Sequence, residues 1–120
     1  MGLQLSSEEV KMTGKFETKQ GKGGFRFNLI APNGKVILSS ETYKSKAGLE
    51  NGIASVKANA GDKSNYEERK ARDGQSYFVL KAGNGEIIGR SETYQSSSGR
   101  KKGIESVKRN AGRAKIDDKT

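Results

Sequence analysis

The sequence predicts an α+β fold in which two copies of a strand–strand–strand–helix unit close on one shared core. Three observations predict it. Laid on itself at an offset of 51, the 120-residue chain matches residues 33–61 with 84–112, and 17 of those 29 positions are identical. Within each copy the apolar period changes from two to about 3.6, the change from strand to helix. Glycine-bearing turn signals fall where the period breaks. Two copies are fewer than the roughly three a solenoid needs, so a closed pair is expected.

The elements follow in order. Residues 15–19 form a short strand, and Gly21-Lys22-Gly23-Gly24 is the turn after it. Phe25, Phe27, Leu29 and Ala31 then alternate with Arg26 and Asn28, as in a half-buried strand. Asn33-Gly34 is expected to make a type I′ hairpin turn, because both its central residues take positive φ. Residues 36–41 return as the third strand. Copy two repeats the order as strand 66–70, Asp73-Gly74, strand 77–82, Asn84-Gly85 and strand 86–92. Ser45 and Ser96 stand where helix N-caps belong, and Gly61 and Gly112 where C′ glycines belong. Between them Leu49, Ile53, Val56 and Ala60 share one helix face, as do Ile104, Val107 and Ala111. Gly48, Gly52, Gly99 and Gly103 interrupt these helices at about 1 kcal/mol each relative to alanine. Their presence in both copies predicts that aromatic side chains of the sheet approach the helix backbone closely. Another strand is expected after each helix, at 62–70 and at 113–117. The second of these, with Ala114 and Ile116 on one face, is placed to pair with copy one.

Composition narrows the function. Apolar and charged residues each make up 31% of the chain, enough for one ordered domain of modest core. There is no cysteine and no histidine, which removes disulfides, thiol nucleophiles, Cys/His zinc sites and histidine acid–base catalysis. The chain is expected to be non-catalytic and to need no cofactor or metal. A net charge of +9 favours polyanionic partners. That charge is spread evenly, +4 over residues 1–64 and +5 over 65–120.

The motifs are specific enough to carry a resemblance. FRFNL, NGKVIL, SSETYKSK, GIASVK and NA in copy one, with YFVLKAGNGEIIGRSETYQS and GIESVKRNA in copy two, resemble the repeat of the YegP-like family, small bacterial proteins of uncharacterised function. The resemblance covers residues 14–112 and implies two tandem β(3)-α-β repeats. These would form a single antiparallel sheet with two helices on one face and C-terminal strands exchanged between repeats. It implies a monomer acting as a pseudo-dimer, organised as an arm (1–13), repeat one (14–64), repeat two (65–116) and a solvated tail (117–120). It supplies no catalytic residue. Two departures, Leu49 to Arg100 and Leu38 to Gly89, mean that the halves do not pack identically.

Two groups of residues are candidates for function. Glu41 and Tyr43, with Glu92 and Tyr94, lie in the doubled segment S-E-T-Y-x-S and would form a duplicated small-ligand or enzyme site. The competing reading makes this segment the strand-to-helix connection, with the serines as caps and the tyrosines plugging the core, and such roles are commoner than sites. The second group, Lys101, Lys102, Lys108, Arg109 and Arg113, lies in the one concentration of positive charge, which also holds Arg100 and Lys115 and is relieved only by Glu105. Lys101, Lys102, Lys108 and Arg109 lie away from the apolar stripe of the second helix. They fit either a solvated face, with Glu105 pairing to Lys108 and Arg109, or a face that contacts the phosphates of nucleic acid or another polyanion. Aromatic residues free to stack on bases are not evident, since Phe27, Phe78, Tyr43 and Tyr94 are needed inside. Gly21-Lys22-Gly23-Gly24 joins two strands and opens no helix, so it is a turn and not a phosphate loop. Self-association through a sheet face or edge is a third possibility.

At the ends, Ser6 and Glu9 are spaced to cap a helical turn through Met12, and Leu3 and Leu5 either dock or fray. No secretory signal or apolar span is evident, so a cytoplasmic location and no membrane contact are expected.

Overall fold

The computed structural model describes residues 14–120; the helical turn expected at Ser6–Met12 lies outside them. Seven strands and two helices run in the order β1 (Lys15–Gly21), β2 (Gly24–Ile30), β3 (Val36–Ser39), α1 (Lys46–Asn59), β4 (Tyr66–Lys70), β5 (Ser76–Lys81), β6 (Ile87–Arg90), α2 (Ser97–Asn110) and β7 (Lys115–Asp118). A 3-10 turn at Lys63–Asn65 takes the place of the first half of the strand expected at 62–70.

All seven strands join one sheet in the order β4-β5-β6-β3-β2-β1-β7. The halves meet where β3 and β6 pair through Ser39 and Arg90. Arg90 is the counterpart of Ser39 at the offset of 51, and a residue that pairs antiparallel with its own counterpart marks a local two-fold axis. β4, which follows α1, pairs with β5 of the second repeat, and β7, which follows α2, pairs with β1 of the first. β7 thus crosses from repeat two to repeat one, while β4 serves as the opening strand of repeat two. β7 runs parallel to β1, so the sheet is mixed and not antiparallel throughout. The reason is geometric: the chain leaving α2 reaches the edge of β1 in the direction in which β1 itself starts.

Both helices lie on one face over a single core built around Phe16, Phe27, Leu29, Leu38, Phe78 and Leu80. α1 packs on β2 of its own repeat and on β5 and β6 of the other, and α2 packs on β5 and β3. Neither repeat buries its own helix stripe alone. Leu49, Ile53 and Val56 of α1 and Ile104 and Val107 of α2 are buried, as the helical period requires. Ser45 and Ser96 cap the helices, each side chain accepting the N–H three residues on, at Gly48 and Gly99.

Four local expectations are corrected. The turns at Asn33-Gly34 and Asn84-Gly85 are not type I′, because only the glycines have positive φ, 85° and 86°. Gly34 donates to the Ala31 carbonyl and Ala31 to the Lys35 carbonyl, so Pro32 and Asn33 form a type I turn that Gly34 closes as a bulge. Proline favours this outcome by fixing the first turn position, and the Asn33 carboxamide accepts the Lys35 N–H. Gly61 and Gly112 follow the caps Ala60 and Ala111 but are not left-handed, since the chain continues in right-handed turns closed by Asn59 and Asn110 carbonyls. Residues 117–120 are not a solvated tail: Asp117 and Asp118 belong to β7, and Lys119 donates to the Thr18 carbonyl. Ala114 is buried, whereas Ile116 is 52% exposed beside Phe16 because β7 is the outermost strand.

Candidate functional site

The S-E-T-Y-x-S segments hold the strand ends to the helices. Ser40 Oγ accepts the Phe27 N–H at 2.9 Å and donates to the Glu41 carbonyl; Ser91 does the same for Phe78 and Glu92. Tyr43 and Phe25 exchange both backbone hydrogen bonds at 2.7 Å, as Tyr94 and Ser76 do at 2.6 and 2.8 Å. Each tyrosine ring then lies parallel to a core phenylalanine, Tyr43 on Phe27 and Tyr94 on Phe78, with 6.4 Å between centroids. A Cβ on Gly52 would stand 2.3 Å from the Tyr43 hydroxyl oxygen, and one on Gly103 2.2 Å from that of Tyr94. The helical glycines are therefore the seats of these rings, as the sequence predicts. Burial pushes both phenols above their ordinary pKa, and the neighbouring Glu41 and Glu92 add to it.

The structure does not assemble Glu41, Tyr43, Glu92 and Tyr94 into one site. The tyrosine hydroxyls face the helices, while both glutamates are exposed. Glu41 sits at an open cleft of about 390 Å³ with Ser39, Ser40, Arg69, Val79, Ile87, Arg90 and Ser91; Glu92 does not line it.

On α2, Lys101, Lys102 and Arg109 are exposed, as is Arg113 in the turn that follows. Lys108 is half-buried and pairs with Glu105 at 3.8 Å. Arg100 leaves this face. Its guanidinium turns inward to the Glu68 carboxylate at 3.0 Å and the Arg69 carbonyl at 3.2 Å, and its Nε is buried without a partner. It therefore fills with an ion pair the place that Leu49 fills with apolar contact in repeat one.

The sheet face opposite the helices carries residues that sequence reasoning missed. Tyr77 and Val79 are in opposite phase to Phe78 and Leu80, and the Arg90 guanidinium lies over the Tyr77 ring at 4.5 Å. An aromatic residue is therefore present outside the core, and its position on the polar phase of β5 was the available signal. Glu67 on the same face binds Lys81 and Arg69, which in that order hold its carboxyl below the usual range. A second cleft, of about 330 Å³, is lined by Lys19, Gln20, Gly21, Lys22, Gly24, Arg26 and Thr42. Among the described residues no group of three acidic side chains is placed to hold a metal ion, and no helix is long and apolar enough to cross a membrane.

Comparison with known proteins agrees with the doubled architecture. The family model of a domain of unknown function, DUF1508, matches twice, at residues 21–67 and 71–118. A UPF0339 protein of Acinetobacter baylyi is 50% identical over 110 residues, 91% of this chain and 99% of that one. The UPF0339 protein YegP of Yersinia pestis is 49% identical over 108 residues, 89% and 96% of the two chains. The solution structure of yegP from E. coli, a protein of unknown function, matches with a TM-score of 0.85 at 45% identity, covering 91% of this chain and 95% of that one. A UPF0339 protein of Shewanella oneidensis gives 0.83 at 42% identity, covering 89% and 92%. None of these names carries an activity. With two copies of the DUF1508 repeat folded about one axis and relatives matched nearly end to end, this chain belongs to the YegP-like UPF0339 family.

Proposed function

We propose that this chain is a cytoplasmic, non-catalytic binding module, acting as a monomer, and that the outer face of α2 holds the phosphates of a nucleic acid. The observation that carries the reading is the exposure of Lys101, Lys102, Arg109 and Arg113 together, with Lys108 beside them and Glu105 the acid that pairs there. Tandem repetition supports the monomer, because both halves of the sheet are present in one chain. The glutamate–tyrosine alternative loses its support, since the tyrosines are committed to the helix glycines.

The test is fluorescence anisotropy with labelled single- and double-stranded DNA and RNA at several salt concentrations. Four or five phosphate contacts predict a slope of log K against log salt of about −4 on duplex DNA and about −3 on single strands. Replacing Lys101, Lys102, Lys108 and Arg109 with alanine should flatten that slope and weaken binding to every sequence alike. Binding confined to low salt, or indifferent to the four substitutions, would leave the charge as a solvated face.

A further inference from the structure

The β1–β2 hairpin concentrates positive charge in a way that the fold does not require. Lys19 stands directly across the ladder from Arg26, and like charges facing each other on adjacent strands are destabilising. Lys22 adds a third cation at the hairpin tip. The connection after β3 is drawn down beside them by the paired backbones of Phe25 and Tyr43. Gly24 permits this approach: its φ is 145°, and a Cβ there would lie 2.2 Å from the Tyr43 carbonyl oxygen. The approach brings in Thr42 and completes the cleft of about 330 Å³, whose lining holds three cations, Gln20 and Thr42, and no carboxylate.

Among the described residues one acid pairs with the cluster, and it partly neutralises one of the three cations. Glu17 reaches Lys19 at 3.4 Å but also takes Lys15 and Lys119. Lys22 and Arg26 have no ion-pair partner among the described residues. Repeat two supplies an internal control. There Tyr77 stands in place of Arg26, Arg69 pairs with Glu67, and the following turn carries Asp73 beside Arg72. The same hairpin therefore forms with Tyr77 in the place of Arg26, and Arg26, exposed beside Lys19 and Lys22, is the cation that sets repeat one apart.

We propose that this cleft binds the phosphate group of a phosphate ester. Arg26 supplies a planar, bidentate donor pair, Lys19 and Lys22 supply point charges, and the Thr42 hydroxyl donates a hydrogen bond. The site is independent of the α2 face, so either can fail without the other.

The test is an NMR titration of the ¹⁵N-labelled chain with inorganic phosphate, with ionic strength held constant by sodium chloride. Saturable shifts should be confined to residues 19–26 and Thr42. The substitution Arg26→Tyr, which copies repeat two, and separately Lys22→Ala, should each weaken phosphate binding about tenfold. The alanine replacements of Lys101, Lys102, Lys108 and Arg109 should leave it unchanged. No saturation beyond the chloride control, or equal binding by R26Y and K22A, would overturn the site. Competition identifies the source of the phosphate. Displacement by a thymidine oligonucleotide points to a nucleic-acid backbone, and displacement by phenyl phosphate alone to a small ester. If neither displaces it, the assignment to phosphate esters is overturned.

Discussion

Gly52 and Gly103 show how one missing side chain positions a larger one. A glycine inside a helix costs about 1 kcal/mol relative to alanine, so two in matching places need a compensation. The Tyr43 and Tyr94 rings provide it by occupying the space a Cβ would fill. We predict that Gly52→Ala, despite its better helix propensity, lowers stability by up to about 2 kcal/mol net, because overpacking costs about 1–3 kcal/mol and the propensity gain returns about 1. Urea denaturation measures the change, and Tyr43→Phe in the same chain should recover part of it by removing the nearest atom. A stabilised G52A variant would contradict the close contact. This feature was legible in the sequence, since an unexplained glycine repeated at the same helical position implies a close neighbour. The helical wheel likewise places Arg100 in the apolar stripe, one turn before Ile104, but only the packed sheet supplies the Glu68 carboxylate and the Arg69 carbonyl that receive it.

At the scale of elements, β7 is an edge strand held by polar contacts. It lies at the sheet edge, and its one large apolar residue, Ile116, is half exposed. The Asp118 carboxylate accepts from the Thr120 hydroxyl, from Lys46 of α1 at 2.9 Å and from Thr18 of β1 at 3.1 Å. These bonds, that from Thr120 first, hold its pKa well below the ordinary 3.8. A depressed carboxylate stabilises the folded form above its unfolded pKa, and that contribution is lost as pH falls through the lower folded value. The docking of β7 should therefore be constant from neutrality to about pH 4 and weaken below it. Hydrogen-exchange protection of residues 115–118, compared with that in Asp118→Asn, checks this. The variant should be less protected at neutral pH and should lose the acid dependence. Protection that stays level down to pH 2 in the parent chain would exclude the carboxylate as the clamp. The apolar pattern of residues 113–117 indicated a returning strand, but its last residue, Asp118, and its parallel direction depend on where β1 lies.

For the whole molecule, the decisive contact is at the two-fold axis. Leu38 is fully buried, and a Cβ on its counterpart Gly89 would stand 2.5 Å from a Leu38 methyl carbon. One leucine thus fills space that symmetry would assign to two. Gly89→Leu alone should cost about 1–3 kcal/mol by overpacking, and Leu38→Gly alone about 4 kcal/mol or more by leaving a cavity. The exchanged pair, L38G with G89L, keeps one leucine at the axis and should lose less than half of the summed single costs, a coupling expected only of side chains in contact. Thermal or urea unfolding of the three variants measures it. Additive losses would mean that the two positions do not share one space.

The sequence by itself determined the repeat, the order of the elements, their apolar faces and the helix N-caps, because period, turn residues and capping chemistry act over a few neighbouring residues. It also identified the asymmetric pairs Leu38/Gly89 and Leu49/Arg100. Only the tertiary structure decided how these parts pair. The register of Ser39 on Arg90, the parallel seat of β7, the inward turn of Arg100 and the meeting of Lys19, Lys22, Arg26 and Thr42 all depend on residues far apart in sequence. The turn at Asn33-Gly34 belongs to both accounts: the dipeptide marks its place, and the proline before it, with the strand register on either side, selects its type. The physical reason is the same throughout. Local conformational preference is written residue by residue, whereas a cleft or an ion pair is created by surfaces that meet only when the sheet closes about its axis.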